Sequence, residues 1–355
     1  MKEQIIYSDN PINDIWLSLE TYSYSNNINK YLNSKSLSMT QELSDSISGA
    51  ILQASEYFKA STHVTIQTAP ILLYYGSINL LFACSALMTG NIPQIKGHGL
   101  DLIKDQIVKD ELLLSTIVVH NKKSDGFSYY YKTLKNQTLD TQEEWTIQEC
   151  LSAIPELTMQ FINQFNAERS HIIPLDKIIT DEETAFRTNS KIINVEDIKS
   201  LLVNDVTFNT NYFPIQINNQ GNAIFRKRLN GQVLVQRSYT GQYYLPVSFN
   251  KKSQDSKTYY GLFSAYIALF GLCTLCRYYP QFWTPYVRLD PSGDVNYIKL
   301  FLSYVQRYIP NIILDYIENS KHIYSGSLIV PLDKTNQLSQ SSIESVVEKI
   351  LEKRR

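Results

Sequence analysis

Two long stretches of this chain carry no charged side chain apart from one histidine, and they constrain its fold more than any motif does. Between Lys59 and Lys96 the only ionisable group of the basic or acidic kind is His63. A second uncharged run covers residues 258–276. An all-round apolar helix must be buried, either in lipid or in protein, and both runs are long enough to span a bilayer. Ser, Thr, Asn, Gln and Tyr recur inside them, the mean hydropathy of the chain is -0.21, and no Lys/Arg cluster flanks the first run. The expectation is therefore two buried helices in the core of a large helical domain, and no membrane partner. Pro70 marks the start of the first helix, and Thr89-Gly90-Asn91-Ile92-Pro93 stops it.

The chain has 355 residues, enough for two domains or one large domain with an insertion. Its 33 basic and 34 acidic side chains nearly cancel, which excludes a surface devoted as a whole to nucleic acid or anionic lipid. Four cysteines exclude a disulfide framework and fit a reducing compartment. Met1-Lys2-Glu3-Gln4 leads into polar sequence rather than an apolar segment, so a cytoplasmic location is expected. The first arginine is Arg169, so bidentate recognition of phosphate or carboxylate must come from the later half.

The hydrophobic spacing predicts a mainly α fold with a small antiparallel β insertion, its helical core built from N- and C-terminal parts. Residues 1–45 read as a peripheral segment. Residues 46–202 read as the first part of the helical core, with a strand-like alternation at Phe127-Ser128-Tyr129-Tyr130-Tyr131-Lys132 and a break at Pro155. Residues 203–250 form the β insertion, with strands expected over 206–217, 223–229, 232–239 and 242–249 and the strongest hairpin signal at Asn230-Gly231. Residues 251–330 return to the helical core, with separate helices at 294–308 and 310–321. Residues 331–355 hold an amphipathic helix with a capping box, Ser341 with Glu344, that packs in cis or on a second copy of the chain.

The common catalytic fingerprints are absent. There is no P-loop, no G-x-G-x-x-G, no H-E-x-x-H, no G-x-S-x-G and no second C-x-x-C to complete a thiolate site beside Cys273 and Cys276. No cofactor and no metal is expected. The five histidines also lack the arginine, four to six residues upstream, that helical RNases of the HEPN type carry.

Three features remain as candidates. His98 stands between Gly97 and Gly99, where glycines let the backbone approach closely and expose the imidazole; a capping turn is the other reading. Arg277 emerges from the second uncharged run next to Tyr278 and Trp283, so it must pair with an acid or bind an anion. Arg226, Lys227, Arg228, Arg237, Lys251 and Lys252, interleaved with tyrosines, form either a nucleic-acid or phosphate patch or a charged sheet edge.

Several blocks resemble the YaaC-like family of bacterial proteins. They are Glu56-Tyr57-Phe58, Leu72-Leu73-Tyr74-Tyr75-Gly76 with Asn79, His98-Gly99-Leu100, Ile154-Pro155-Glu156 and Arg277-Tyr278-Tyr279-Pro280-Gln281-Phe282-Trp283, spread over residues 45–320. The resemblance implies a largely helical cytoplasmic protein with no agreed reaction. Asn79, His98 and Arg277 are the polar landmarks, expected to converge on one pocket together with Tyr278 and Trp283. Two function classes follow. One is a binding, interaction or sensor subunit, in a bacterial stress or phage-defence setting, that recognises an anionic small molecule, RNA or a protein partner. The other is a metal-independent hydrolase or RNase with His98 as acid/base and Arg277 stabilising phosphate charge.

Overall fold

The computed structural model describes residues 2–103, 112–122, 125–139, 142–165, 170–179, 184–188, 194–203, 205–246, 261–290 and 292–325. Lys251, Lys252 and the C-terminal amphipathic segment lie outside the described residues. The N-terminal part runs β1 (Lys2–Tyr7), α1 (Pro11–Glu20), α2 (Ser25–Ser34), α3 (Gln41–Ser61) and α4 (Ala69–Thr89). Then follow β2 (Leu100–Leu102), β3 (Val118–Asn121), α5 (Gly126–Lys135), β4 (Glu144–Thr146), α6 (Ile147–Ser152) and α7 (Thr158–Phe165). Next come β5 (Ile172–Ile179), β6 (Thr184–Arg187), α8 (Val195–Leu202), α9 (Val206–Asn211), β7 (Gln216–Ile217), β8 (Ala223–Arg226), β9 (Gln236–Arg237) and β10 (Tyr243–Pro246). The described residues close with α10 (Leu262–Tyr278), α11 (Pro280–Leu289), α12 (Asp294–Glu318) and β11 (Ser320–Ser325).

The architecture is mainly α with small, mostly antiparallel sheets, as the spacing predicts. The two uncharged runs become α4 and α10, which pack on each other at the centre of the helical body. α4 is long and apolar enough to cross a membrane, but 61% of its most apolar window is buried inside the protein. α10 and α11 meet at a 109° bend. Helix α4 begins with Pro70 in its first turn and ends where Gly90 takes a left-handed conformation, φ +68°. Gly76 lets the helices close: a Cβ there would stand 2.7 Å from the ring of Phe58 on α3.

The first 45 residues are not peripheral. Ile15, Leu19, Ile28 and Leu32 are fully buried in the main core, and β1 pairs in parallel with β11, Lys2 opposite Ser320. Three other expectations are corrected. Phe127-Ser128-Tyr129-Tyr130-Tyr131-Lys132 belongs to α5, because Phe127, Tyr130, Tyr131 and Leu134 fall on one helical face and are all buried there. The expected helices at 294–308 and 310–321 are one helix, α12, with Pro310 inside it. Interior proline costs about 3 kcal/mol, but Val305, Ile309, Ile313 and Ile317 repeat every four residues and are buried, and each contributes about 1.5–3 kcal/mol. Finally, Leu100–Leu102 and Val118–Asn121 are strands rather than helix, in a sheet of order β2-β3-β4.

The β region is larger than the expected insertion. Its six-stranded sheet has the order β7-β8-β6-β5-β10-β9, so it recruits β5 and β6 from before residue 203. It has its own apolar core around Ile173, Ile198, Phe208, Phe225 and Leu245. The first expected strand starts instead as α9, where Asp205 caps the Phe208 N–H at 2.8 Å and Phe208 stacks on Tyr212. Asn230-Gly231 joins no hairpin, since β8 and β9 do not pair. The true hairpins turn at Asn218–Asn222, between β7 and β8, and at Ser238–Gln242, between β9 and β10. Tyr239, at the tip of the second turn, leaves the sheet core and packs on Tyr304 and Tyr308 of α12.

Candidate functional site

The Lys96-Gly97-His98-Gly99 loop follows α4 and is pressed against the start of α5. Gly126 and Phe127 donate backbone N–H bonds to Gly97 and His98 carbonyls at 3.1 and 2.9 Å, and Lys122 donates to the Gly99 carbonyl at 2.9 Å. The fit is close enough to require glycine. Gly99 has φ +73°, and a Cβ there would sit 2.7 Å from the Phe127 nitrogen. Asp125 completes the clamp, its Oδ1 accepting the Lys96 and Gly97 amides at 2.9 and 2.8 Å. It does so from φ 93°, ψ -165°, a region that costs a non-glycine residue about 1–3 kcal/mol. The backbone strain and the glycines together fix where His98 points.

His98 faces a cleft of about 390 Å³ at the junction of α4, β2 and the C-terminal end of α10. Tyr74 and Phe270 form its aromatic wall, with ring centroids 5.4 and 5.9 Å from the imidazole, and Tyr75 lies at 6.3 Å. Arg277 lines the same cleft, with Thr274 one turn earlier on α10 and Asp101 from β2. The Arg277 guanidinium donates to the Tyr75 hydroxyl and lies over the Tyr278 ring, 4.8 Å from its centroid. Among the described residues no carboxylate pairs with it, and no hydrogen-bond partner reaches either ring nitrogen of His98. Burial, and then the Arg277 charge, hold the His98 pKa below its ordinary value against the opposing pull of Asp125. The imidazole is therefore neutral at pH 7, with one nitrogen to accept a proton and one to donate.

The structure thus brings His98, Arg277 and Tyr278 to one cleft, and leaves two expected partners out. Asn79 lies one turn beyond Tyr75 on α4 and donates to Gln53 of α3 at 3.3 Å. Trp283 is buried to 1% exposure, and its Nε1 donates to the Gln67 carbonyl at 3.3 Å. Asn79 ties α4 to α3, and Trp283 ties α11 to the α3–α4 connection. Cys273 borders the cleft, but burial pushes its thiol up to about 12 and that of Cys276 up to about 11, so neither is a nucleophile at neutral pH. Thr274 and Asp101 are not singled out by the sequence, and Tyr75 is so only as part of a family block and not as a site residue. The 274, 277, 278 spacing on one helix face was the available signal for Thr274, whereas Asp101 is brought in only by β2.

The basic patch is dispersed. Arg226 on β8 and Arg237 on β9 stand on strands that β6, β5 and β10 separate. Lys227 donates to the Arg228 and Gly231 carbonyls at 3.0 Å, and Arg228 to the Tyr212 carbonyl at 3.0 Å. Arg237 donates to the Gly241 carbonyl at 3.0 Å and reaches Glu3 at 3.4 Å. Lys227, Arg228 and Arg237 thus brace turns and loops. Among the described residues no group of three His, Cys, Asp or Glu side chains is placed to hold a metal ion.

No curated protein and no solved structure matches the chain. A family model does, the YaaC-like protein family, over residues 13–317. That span takes in the glycine-clamped histidine, the arginine at the end of α10 and the whole six-stranded sheet, and it assigns the chain to the YaaC-like family.

Proposed function

We propose that this protein binds a small anionic molecule in the cleft between His98 and Arg277, as a cytoplasmic sensor or interaction subunit. One observation carries the reading. Arg277 is held in place by a phenol and an aromatic face rather than by an acid, so most of its fork of donors stays open beside a neutral histidine with both nitrogens free. A structural arginine is ordinarily paired. The cleft volume falls in the range of small-molecule sites.

Native mass spectrometry of gently purified protein, with the 260/280 nm absorbance ratio read alongside, tests this. A small adduct of defined mass is expected, lost in Arg277→Ala. A charge-assisted hydrogen bond is worth about 1.5–3 kcal/mol, so affinity should fall about tenfold or more. The melting temperature should barely move, because Arg277 is exposed. An adduct that persists undiminished in Arg277→Ala overturns the reading. The neutral His98 favours a second reading, hydrolysis, in which His98 moves a proton and Arg277 carries phosphate charge. It requires turnover of the bound molecule that His98→Gln abolishes while binding remains.

A further inference from the structure

We infer that the ligand of this cleft is a nucleoside monophosphate, an inference that rests on the anion-binding reading and narrows it. Three features of the lining have to be used together. The open donors of Arg277 suit the two oxygens of a phosphate or carboxylate. The rings of Tyr278, which is 60% exposed, and of the exposed His98, with the half-buried ring of Tyr75, form an aromatic surface backed by the buried Tyr74 and Phe270. A simple aliphatic anion leaves that surface idle. A planar base stacks on such rings with useful energy whatever its sequence identity.

The third feature is Asp101. Its Oδ2 lies 3.3 Å from the Lys122 ammonium and its Oδ1 accepts the Leu102 amide at 2.9 Å, yet each carboxylate oxygen retains a lone pair for a further donor. Inorganic phosphate near pH 7 brings at most a P–OH and leaves the aromatic rings unused, and a simple aromatic carboxylate would bring Asp101 no proton to accept. A ribose diol does. This places phosphate at Arg277, base on the tyrosines and ribose hydroxyls at Asp101, and leaves the His98 nitrogens and the Thr274 hydroxyl to serve phosphate or sugar.

Titration calorimetry on the full chain, with AMP, GMP, CMP and UMP beside adenosine, ribose 5-phosphate and inorganic phosphate, decides it. At least one nucleotide should bind about tenfold or more tightly than ribose 5-phosphate and than adenosine. Arg277→Ala should weaken that nucleotide about tenfold or more and leave adenosine unchanged. The 2′,3′-dideoxy form of the same nucleotide should bind the native protein about fivefold or more weakly, and Asp101→Ala should erase the difference. If ribose 5-phosphate or phosphate binds as tightly as any nucleotide, and through Arg277, the cleft remains an anion site and the nucleotide inference falls. If no probe shows Arg277-dependent binding, the anion reading falls with it.

Discussion

Gly99→Ala is expected to cost about 3 kcal/mol of stability and to abolish ligand binding in the cleft. The two effects share one cause. The left-handed backbone at φ +73° strains any side chain, and the added methyl would meet the Phe127 backbone nitrogen at 2.7 Å. Backbone cannot rotate away as a side chain can, so the loop must lift off α5. That breaks the bonds from Gly126, Phe127 and Lys122 and displaces His98. Urea denaturation and nucleotide calorimetry read the two effects. Gly49→Ala is the control, since nothing lies within 4 Å of the new methyl in the interior of α3, and helix propensity should make it neutral or stabilising by up to about 1 kcal/mol. A Gly99→Ala protein as stable as the native one would show that the clamp does not exist.

The second large effect concerns His322 on β11, 3% exposed and held by two carboxylates of α12. Its Nδ1 lies 2.7 Å from Asp315 and its Nε2 3.0 Å from Glu318. Burial alone would lower the imidazole pKa, but hydrogen bonds and charge from Asp315 and Glu318 outweigh burial and push it up to about 9. A group that binds its proton more tightly when folded stabilises fully below the unfolded value of about 6.5, and loses that contribution as pH rises towards 9. The span corresponds to about 3 kcal/mol. The native protein should thus lose stability from pH 6.5 to 9 relative to His322→Gln, whose own profile lacks this component. Titrating groups that do not touch His322 are common to both proteins and cancel in the difference, which therefore reads the clamp of His322, Asp315 and Glu318 as a unit. Asp315→Ala, which leaves a buried imidazolium short of a partner, should cost about 3–5 kcal/mol at pH 7. Parallel pH profiles of the two proteins would refute the clamp.

What could be read from the residues was whatever one helix or one turn decides. The uncharged runs announced α4 and α10, the glycines marked the His98 loop, and Arg277 stood out because an apolar helix ended on it. What could not be read was pairing at long range. Asn230-Gly231 has ideal hairpin chemistry, but the amides on either side of it, Arg228 and Gln232, donate to the Asn211 carbonyl at 2.9 Å and the Asn211 Oδ1 at 2.6 Å, so the turn docks on the end of α9 instead. β5 looked like part of the helical region until β10 supplied its partner, Leu245 opposite Ile173. Asn79 and Trp283 were sorted wrongly for a related reason. Each is a polar or amphipathic group near the cleft in sequence terms, and only the crossing of α3 and the 109° bend before α11 turn them toward Gln53 and Gln67. Asp101 was invisible because a salt-bridged aspartate on a three-residue strand has no local signature.

The β1–β11 pair has a consequence of a different kind. The two strands run parallel, with Lys2 at the start of one and Ser325 at the end of the other. Tension applied between those two residues pulls the strands past each other along their length, so the ladder is loaded in shear and its hydrogen bonds must fail together rather than unzip one by one. The helical body behind them is shielded until that happens. The same geometry delays completion during synthesis, because β1 leaves the ribosome more than three hundred residues before the strand that receives it. The last of the described elements to be made is the one that mechanically locks the first.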